Sequence, residues 1–376
     1  MMTEAALRDW LTVWRLEGVG PGVYRQILDA YETPSAFLAA SQADRRHHGI
    51  PPKVVQAASD AHRLNPGVDA DLRWLDAEDN RHLLTQTDPR YPDALRAIPD
   101  PPPVLFVRGD LACLSAPQLG IVGSRHATPG GLHSAADFSA HLAAAGLVIT
   151  SGLALGIDAE AHQGALAAGG QTIGVMATGP DRLYPREHEA LAREIVDNGA
   201  LITEMATGTP VKRGLFPRRN RLISGLALGV LVVEASAKSG AMNTAHTALE
   251  HNREVMAIPG SIHNPVARGC HRLIREGARL VETAEDVIEE LRGLTGPLNP
   301  TATKPAPDTS EDPLDADYHA VLARMGYDPV RFDWLAEQLA LTPDILSSML
   351  LSLELKGLVK PCHGGRYMRT DNRTGG

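Results

Sequence analysis

The chain has 376 residues, 43% of them hydrophobic, and a formal net charge of −9, enough for two or three domains around a sizeable core. Its three cysteines, Cys113, Cys270 and Cys362, have no paired spacing, so neither a disulfide framework nor a zinc or other metal site is indicated. The opening MMTEAALRDWLTVWRLEG lacks the basic-then-apolar order of a signal peptide, and no run approaches the roughly 20 apolar residues that span a bilayer, so a cytoplasmic protein without a membrane partner is expected.

Residues 13–28, VWRLEGVGPGVYRQIL, place Leu16, then Gly18-Val19-Gly20, then an amphipathic helix carrying Val23, Ile27 and Leu28. This is the pattern of a helix-hairpin-helix, whose glycines bring backbone N–H groups against a DNA phosphate. The same glycines serve equally as a tight turn inside a small helical domain that packs on its neighbour. Helical segments are expected to continue to about Leu84, interrupted at Pro51-Pro52 and at 65–67, which gives an N-terminal helical domain (helix-hairpin-helix or SAM-like) over 1–84.

The stretch 87–110, with DPRYP, IPDPPP and an apolar run at 104–107, reads as a proline-marked crossover into an edge strand. From Leu119 onward apolar runs alternate with helical stretches. Strands are expected near 119–122, 147–150, 172–176, 200–203, 229–233 and 254–258, with a last one at 279–281. That alternation means a parallel sheet covered on both faces, a doubly wound α/β core over 85–294.

Residues 295–313 are proline-rich and lack apolar periodicity, the signature of a disordered linker. Beyond it, at 314–370, short helices at 317–325 and 332–339 precede a third that starts at Thr342-Pro343, with Ile345, Leu346, Met349, Leu350 and Leu353 on its core side. GLVKPCHGGRYMR then reads as a hairpin. Three helices capped by a basic hairpin are a winged helix, a module that reads duplex DNA in many proteins and docks protein in others.

The candidate site is a set of turns at the strand ends. GSRHATPGG (123–131) follows the first core strand and opens a helix, so its N–H groups and the helix dipole point at an anion, and Arg125 adds a bidentate grip on a phosphodiester. It lacks the G-x-G-x-x-G of a dinucleotide turn, and the second strand ends in Thr150-Ser151 rather than an acid, so NAD is not expected. A second small-residue turn, Lys238-Ser239-Gly240, precedes another helix. Between Met205 and Val233 no acid occurs, while Lys212, Arg213, Arg218, Arg219 and Arg221 fall within ten positions around Phe216 and Asn220. Several phosphates in a row suit a polynucleotide better than a lone cofactor. Ser151 and Gly152 complete the candidate DNA-binding set; no catalytic residue and no cofactor are assigned.

Two constellations have competing readings. Asp158 and His162, four apart, are either half of a metal or acid/base site or a helix-start aspartate and a histidine facing the neighbouring strand; the second is expected. Glu204 and Glu234 stand at strand ends, where α/β enzymes place catalytic acids and where buried carboxylates pair with arginines; Arg218 to Arg221 supply such partners, and the structural role is expected.

IVGSR (121–125), SGLALGID..AH (151–162), G.TIGVMATG...YP (170–185), FPRRNRLISGLA (216–227), VVEA...SGAMNTA (232–245) and REVMAIPGSI (253–262) together resemble the DNA-processing protein A family, DprA or Smf. The departures are small: Thr203-Glu204-Met205-Ala206 replaces the usual Ser-Glu-x-Pro, and Pro180 follows Thr178-Gly179. The resemblance implies an extended Rossmann fold that dimerises, binds single-stranded DNA without sequence preference, loads the recombinase RecA during natural transformation, and catalyses nothing. It assigns strand binding to Gly123-Ser124-Arg125, to 212–221 with Phe216, and to Lys238-Ser239-Gly240. Double-stranded DNA is left to the terminal domains. The alternative is a nucleotide-binding or nucleotide-hydrolysing enzyme of the lysine-decarboxylase-like group, whose signature resembles PGGxGTxxE; here Thr247 stands where that glutamate belongs.

Overall fold

Five short apolar stretches between residues 118 and 232 are buried at every position, which is what a strand covered by helices on both faces requires. The structure, a computed structural model, describes residues 2–295, 316–325 and 329–370. One nine-stranded sheet is built from β1 (Arg81–Thr85), β2 (Val104–Gly109), β3 (Gln118–Val122), β4 (Val148–Ser151), β5 (Thr172–Val175), β6 (Gly199–Thr203), β7 (Gly229–Val232), β8 (Glu254–Ala257) and β9 (Arg279–Leu280). Its order is β1-β2-β6-β5-β4-β3-β7-β8-β9. Strands β3 to β9 run parallel; β2 joins β6 antiparallel and β1 joins β2 antiparallel. After β3 the chain winds outward through β4, β5 and β6, then returns to place β7 on the other side of β3. The switch point of this doubly wound sheet therefore lies between β3 and β7.

In the N-terminal part, α1 (Glu4–Arg15), α2 (Pro21–Tyr31), α3 (Pro34–Ala39), α4 (Gln42–His47), α5 (Pro52–Ser59) and α6 (Asn65–Asp76) enclose Trp10, Leu11, Tyr24, Ile27, Phe37 and Val54. The hairpin is in place between α1 and α2, with Gly18 at φ 91° and the side chain of Val54 beneath it. One expectation fails here. Helix does not continue to Leu84: it stops at Asp76, and 81–85 form β1, because Leu83 pairs with Phe106 and both close the helical core against the sheet.

The sheet is covered on one face by α7 (Asp93–Arg96), with α11 (Leu215–Leu226), α12 (Gly240–Glu250) and α13 (Arg268–Arg275) beside it. The other face carries α8 (Pro129–Ala144), α9 (Ile157–Ala167), α10 (Glu189–Asp197) and α14 (Ala284–Leu291). The helical domain is tied to this core by buried polar contacts. Trp14 Nε1 donates to Glu204 O at 2.8 Å, and Arg15 grips Asp71, which is fully buried and also accepts from the N–H and hydroxyl of Thr207.

The C-terminal part contains α15 (Ala316–Met325), α16 (Phe332–Leu339) and α17 (Pro343–Leu355). A three-stranded sheet accompanies them, β10 (Val330–Arg331), β11 (Val359–Cys362) and β12 (Arg366–Arg369), in the order β10-β12-β11. This is a winged helix. Leu346, Met349, Leu350 and Leu353 enter its core as expected, but Ile345 does not: it is 50% exposed, because it lies a quarter-turn from the buried stripe of α17. Except for Thr295, the expected linker at 295–313 lies outside the described residues. Among the described residues no helix is long and apolar enough to cross a membrane. All three cysteines are free, and burial pushes the thiols of Cys113 and Cys270 up to about 12.

Candidate nucleic-acid interface

At the end of β3 the chain must turn under α9. An added Cβ on Gly123 would stand 2.5 Å from Ile157 Cγ1 and 2.9 Å from Glu234 O, so only glycine lets the loop sit there. Ser124 O accepts from Ile157 N at 3.2 Å, and the Ser124 hydroxyl accepts from His126 N. Thr128 then caps α8, its Oγ1 accepting from Gly131 N. Glu234, at the end of β7, accepts from Thr128 N at 2.8 Å and from Thr128 Oγ1 at 2.7 Å, with Asn264 as a third donor. Glu234 thus fixes the loop rather than pairing with an arginine, and burial raises its carboxyl above the usual range against these hydrogen bonds.

Between this loop and the turn after β7 opens a cavity of about 370 Å³. Gly123, Ser124, Arg125, Phe216, Arg219, Asn220, Ser239 and Gly240 line it, so eight sequence-selected residues from three separate segments meet at the switch point. Val122, Ala154, Asp158, Pro217, Ile223, Ala241, Asn243 and Thr244 complete the lining; the helices that carry most of them were visible in the sequence, but their facing was not.

Arg219 is 4% exposed, donates from Nη1 to Val175 O at 2.6 Å, and leaves Nε buried without a partner among the described residues. Burial lowers its guanidinium to about 10, with Asp158 acting to raise it, so it remains a cation at neutral pH. Asp158 is itself pushed up by burial, opposed first by Arg219 and then by the N–H groups of Ala154 and Gly152 that it accepts. The Ser239 hydroxyl, at the N-cap of α12, is also buried without a partner among the described residues. Buried donors without acceptors are costly, so an anion entering here is matched by waiting groups. At the mouth, the exposed Arg125 guanidinium lies 5.4 Å from the centre of the Phe216 ring, and Tyr184 meets Phe216 edge-on at 5.8 Å.

The basic segment does not act as one track. Arg218 and Arg221 both turn onto Glu204, at 3.0 and 2.5 Å, and Arg218 also lies over the Trp14 ring. Lys212, Arg213 and Lys238 are exposed and make no ion pair among the described residues. Asn220 Nδ2 donates to Gly240 O. Ser151 is buried with its hydroxyl donating to Ile121 O, and Gly152 packs against Arg219; both shape the pocket from behind. His162 faces β5 as expected, with Nδ1 2.6 Å from Thr172 Oγ1.

The profile described as DNA recombination-mediator protein A matches residues 82–292. The chain belongs to the DNA recombination-mediator protein A family. A second profile, the DprA winged helix domain, matches residues 305–365. Protein Smf of Escherichia coli (strain K12) is 40% identical over 305 residues, covering 80% of each chain. DNA processing protein A of Streptococcus pneumoniae has a solved structure similar at TM-score 0.67 and 33% identity, covering 75% of this chain and 97% of that one. DNA processing protein A of Helicobacter pylori, whose structure is described as giving insight into its single-stranded DNA binding mode, is similar at TM-score 0.52 and 28% identity over 57% of this chain and 97% of that one. The family resemblance read from the motifs at 121–262 therefore holds.

Proposed function

We propose that this chain binds single-stranded DNA without sequence preference in the crevice between β3 and β7 and delivers it to RecA recombinase during natural transformation and recombination. The carrying observation is the pair of buried, partnerless groups, Arg219 Nε and Ser239 Oγ, facing one cavity with Arg125 at its mouth. That is an anion site built from side chains as well as turns, and the H. pylori relative's single-strand binding supports the same ligand here. The reading includes no catalytic step: Glu204 and Glu234 are engaged by arginines and by Thr128 and Asn264. It includes a homodimer through the Rossmann-like core, for which the edge strand β9, with Leu280 42% exposed, is the open side. It also keeps the core to 294 and the winged helix at 314–370, with the first limit moved from 84 to before β1 at Arg81, because that strand belongs to the core sheet.

The test is Arg125→Ala with Lys238→Ala. Each lost phosphate contact should cost about 1 to 3 kcal/mol of binding and reduce the salt slope by roughly one contact, so the double variant should nearly lose oligothymidine binding while melting close to wild type. It should also fail to help RecA displace a single-strand-binding protein. Normal binding by the folded variant would move the DNA elsewhere, and release of free base from nucleoside monophosphates by the wild type would favour the hydrolase reading.

A further inference from the structure

The winged helix is oriented in a way that its usual role does not explain. Its third helix, α17, reads PDILSSMLLSLEL: it has no lysine or arginine, carries Asp344 and Glu354, and exposes Ile345, Leu351 and Leu355. Such a helix offers nothing to phosphates and few donors to base edges. The hairpin is the opposite. Between residues 355 and 370 it carries Lys356, Lys360, His363, Arg366 and Arg369 and no acid.

The hairpin is also the part that meets the core. Met368 of β12 is buried over the start of α8, where a Cβ added to Gly130 would lie 3.2 Å from its terminal methyl. Gly130 is two residues beyond Thr128, which closes the loop of the anion pocket. Lys360 lies near Glu160, in the first turn of α9, and opposes the upward push of burial on that carboxyl. Strand register then fixes the facing: Lys360 pairs directly with Met368, and Arg366 stands two residues from Met368 on the same face. Both cations therefore share the face of the wing that meets the start of α8, beside the first turn of α9, where Asp158 lines the pocket. Lys360 and Arg366 are exposed and make no ion pair among the described residues.

We propose that the face of the wing bearing Lys360 and Arg366 is a second wall of the single-strand groove, contacting the phosphates of strands long enough to leave the core pocket. This rests on the single-strand reading above.

The experiment titrates the full chain with oligothymidine of roughly 6 and roughly 30 nucleotides, across a salt series, by fluorescence anisotropy. The variant Lys360→Gln with Arg366→Gln should bind the short probe as wild type does. It should bind the long probe about tenfold or more weakly, with a salt slope reduced by roughly 0.7 per lost contact. The exchange Lys360→Arg with Arg366→Lys, which keeps both charges, should restore the long-probe affinity. An unchanged long-probe affinity overturns the proposal, as does a loss seen only with duplex of the same length, or an equal loss on both probes. Failure of the wild-type chain to bind even the short probe would instead overturn the single-strand reading, and the wing with it.

Discussion

The bare Cα of Gly152 faces the guanidinium of Arg219 so closely that an added Cβ would stand 2.0 Å from Nη1. The glycine is what allows a buried arginine to lie beneath the pocket with Nη1 on Val175 O. Gly152→Ala should therefore displace Arg219. Overpacking of this kind costs about 1 to 3 kcal/mol, to be read from urea unfolding, and affinity for single strands should fall with it. A variant as stable and as tight-binding as wild type would show that Arg219 is free to move.

Glu204 is 1% exposed and holds two guanidiniums, so its removal takes the carboxylate from both and leaves Arg221 with only Asp100 O among the described residues. Glu204→Gln should destabilise the chain by roughly 3 kcal/mol, the cost of breaking a buried pair from one side. Arg218→Ala should cost far less, because Arg221 keeps the carboxylate partnered and Arg218 is the more exposed of the two. Equal losses in chemical denaturation would count against this division.

The same geometry separates cations that neutralise a carboxylate from cations open to a ligand. Arg218→Ala should leave the salt dependence of single-strand binding nearly unchanged, whereas Arg125→Ala should lower the slope by roughly one contact. Comparing the two slopes in one salt series decides the matter.

His162 adds a pH dependence. Thr172 Oγ1 donates to Ile149 O, so it accepts from His162 Nδ1–H, and Nε2 is left buried and unprotonated. Burial, aided by His188 and Arg219, lowers the imidazole to about 3. A depressed folded-state value means that stability is fully present above the unfolded value of 6.5 and is lost as pH falls toward about 3, because only the unfolded chain takes up the proton. The loss approaches about 1.4 kcal/mol per pH unit within that window. His162→Gln should remove one proton from the dependence between those limits, whatever it does to absolute stability. An unchanged slope of unfolding free energy against pH would assign the uptake to another group.

The core strands were legible because parallel strands buried on both faces are unbroken apolar runs, and each expected run from 119 to 281 contains its observed strand to within a residue or two. β1 was not, since RHLLT begins with two polar residues and is too short to show a period. The two glycine-bearing turns could be placed at one sheet edge from strand order alone. The basic segment could not be apportioned, because α11 starts at Leu215 and its period of 3.6 sends consecutive residues to different sides. Arg218 and Arg221 share a side and find Glu204, while Arg219 points inward and Asn220 reaches α12. Glu234 was seen at a strand end, but nothing in a linear reading couples it to Thr128.

The two lips of the pocket follow β3 and β7, neighbours in the sheet that are separated in the chain by β4, β5 and β6 and their crossovers. A ribosome-bound chain that has released only the first lip has no crevice, and it exposes β3 without the strand that flanks it. On the proposed reading, capture of a strand in this crevice becomes possible only late in synthesis, after β7 and the start of α12 have emerged and docked. A nascent fragment that ends before β7 has one lip and no crevice, so this pocket cannot hold a ligand before the sheet that bears it is complete.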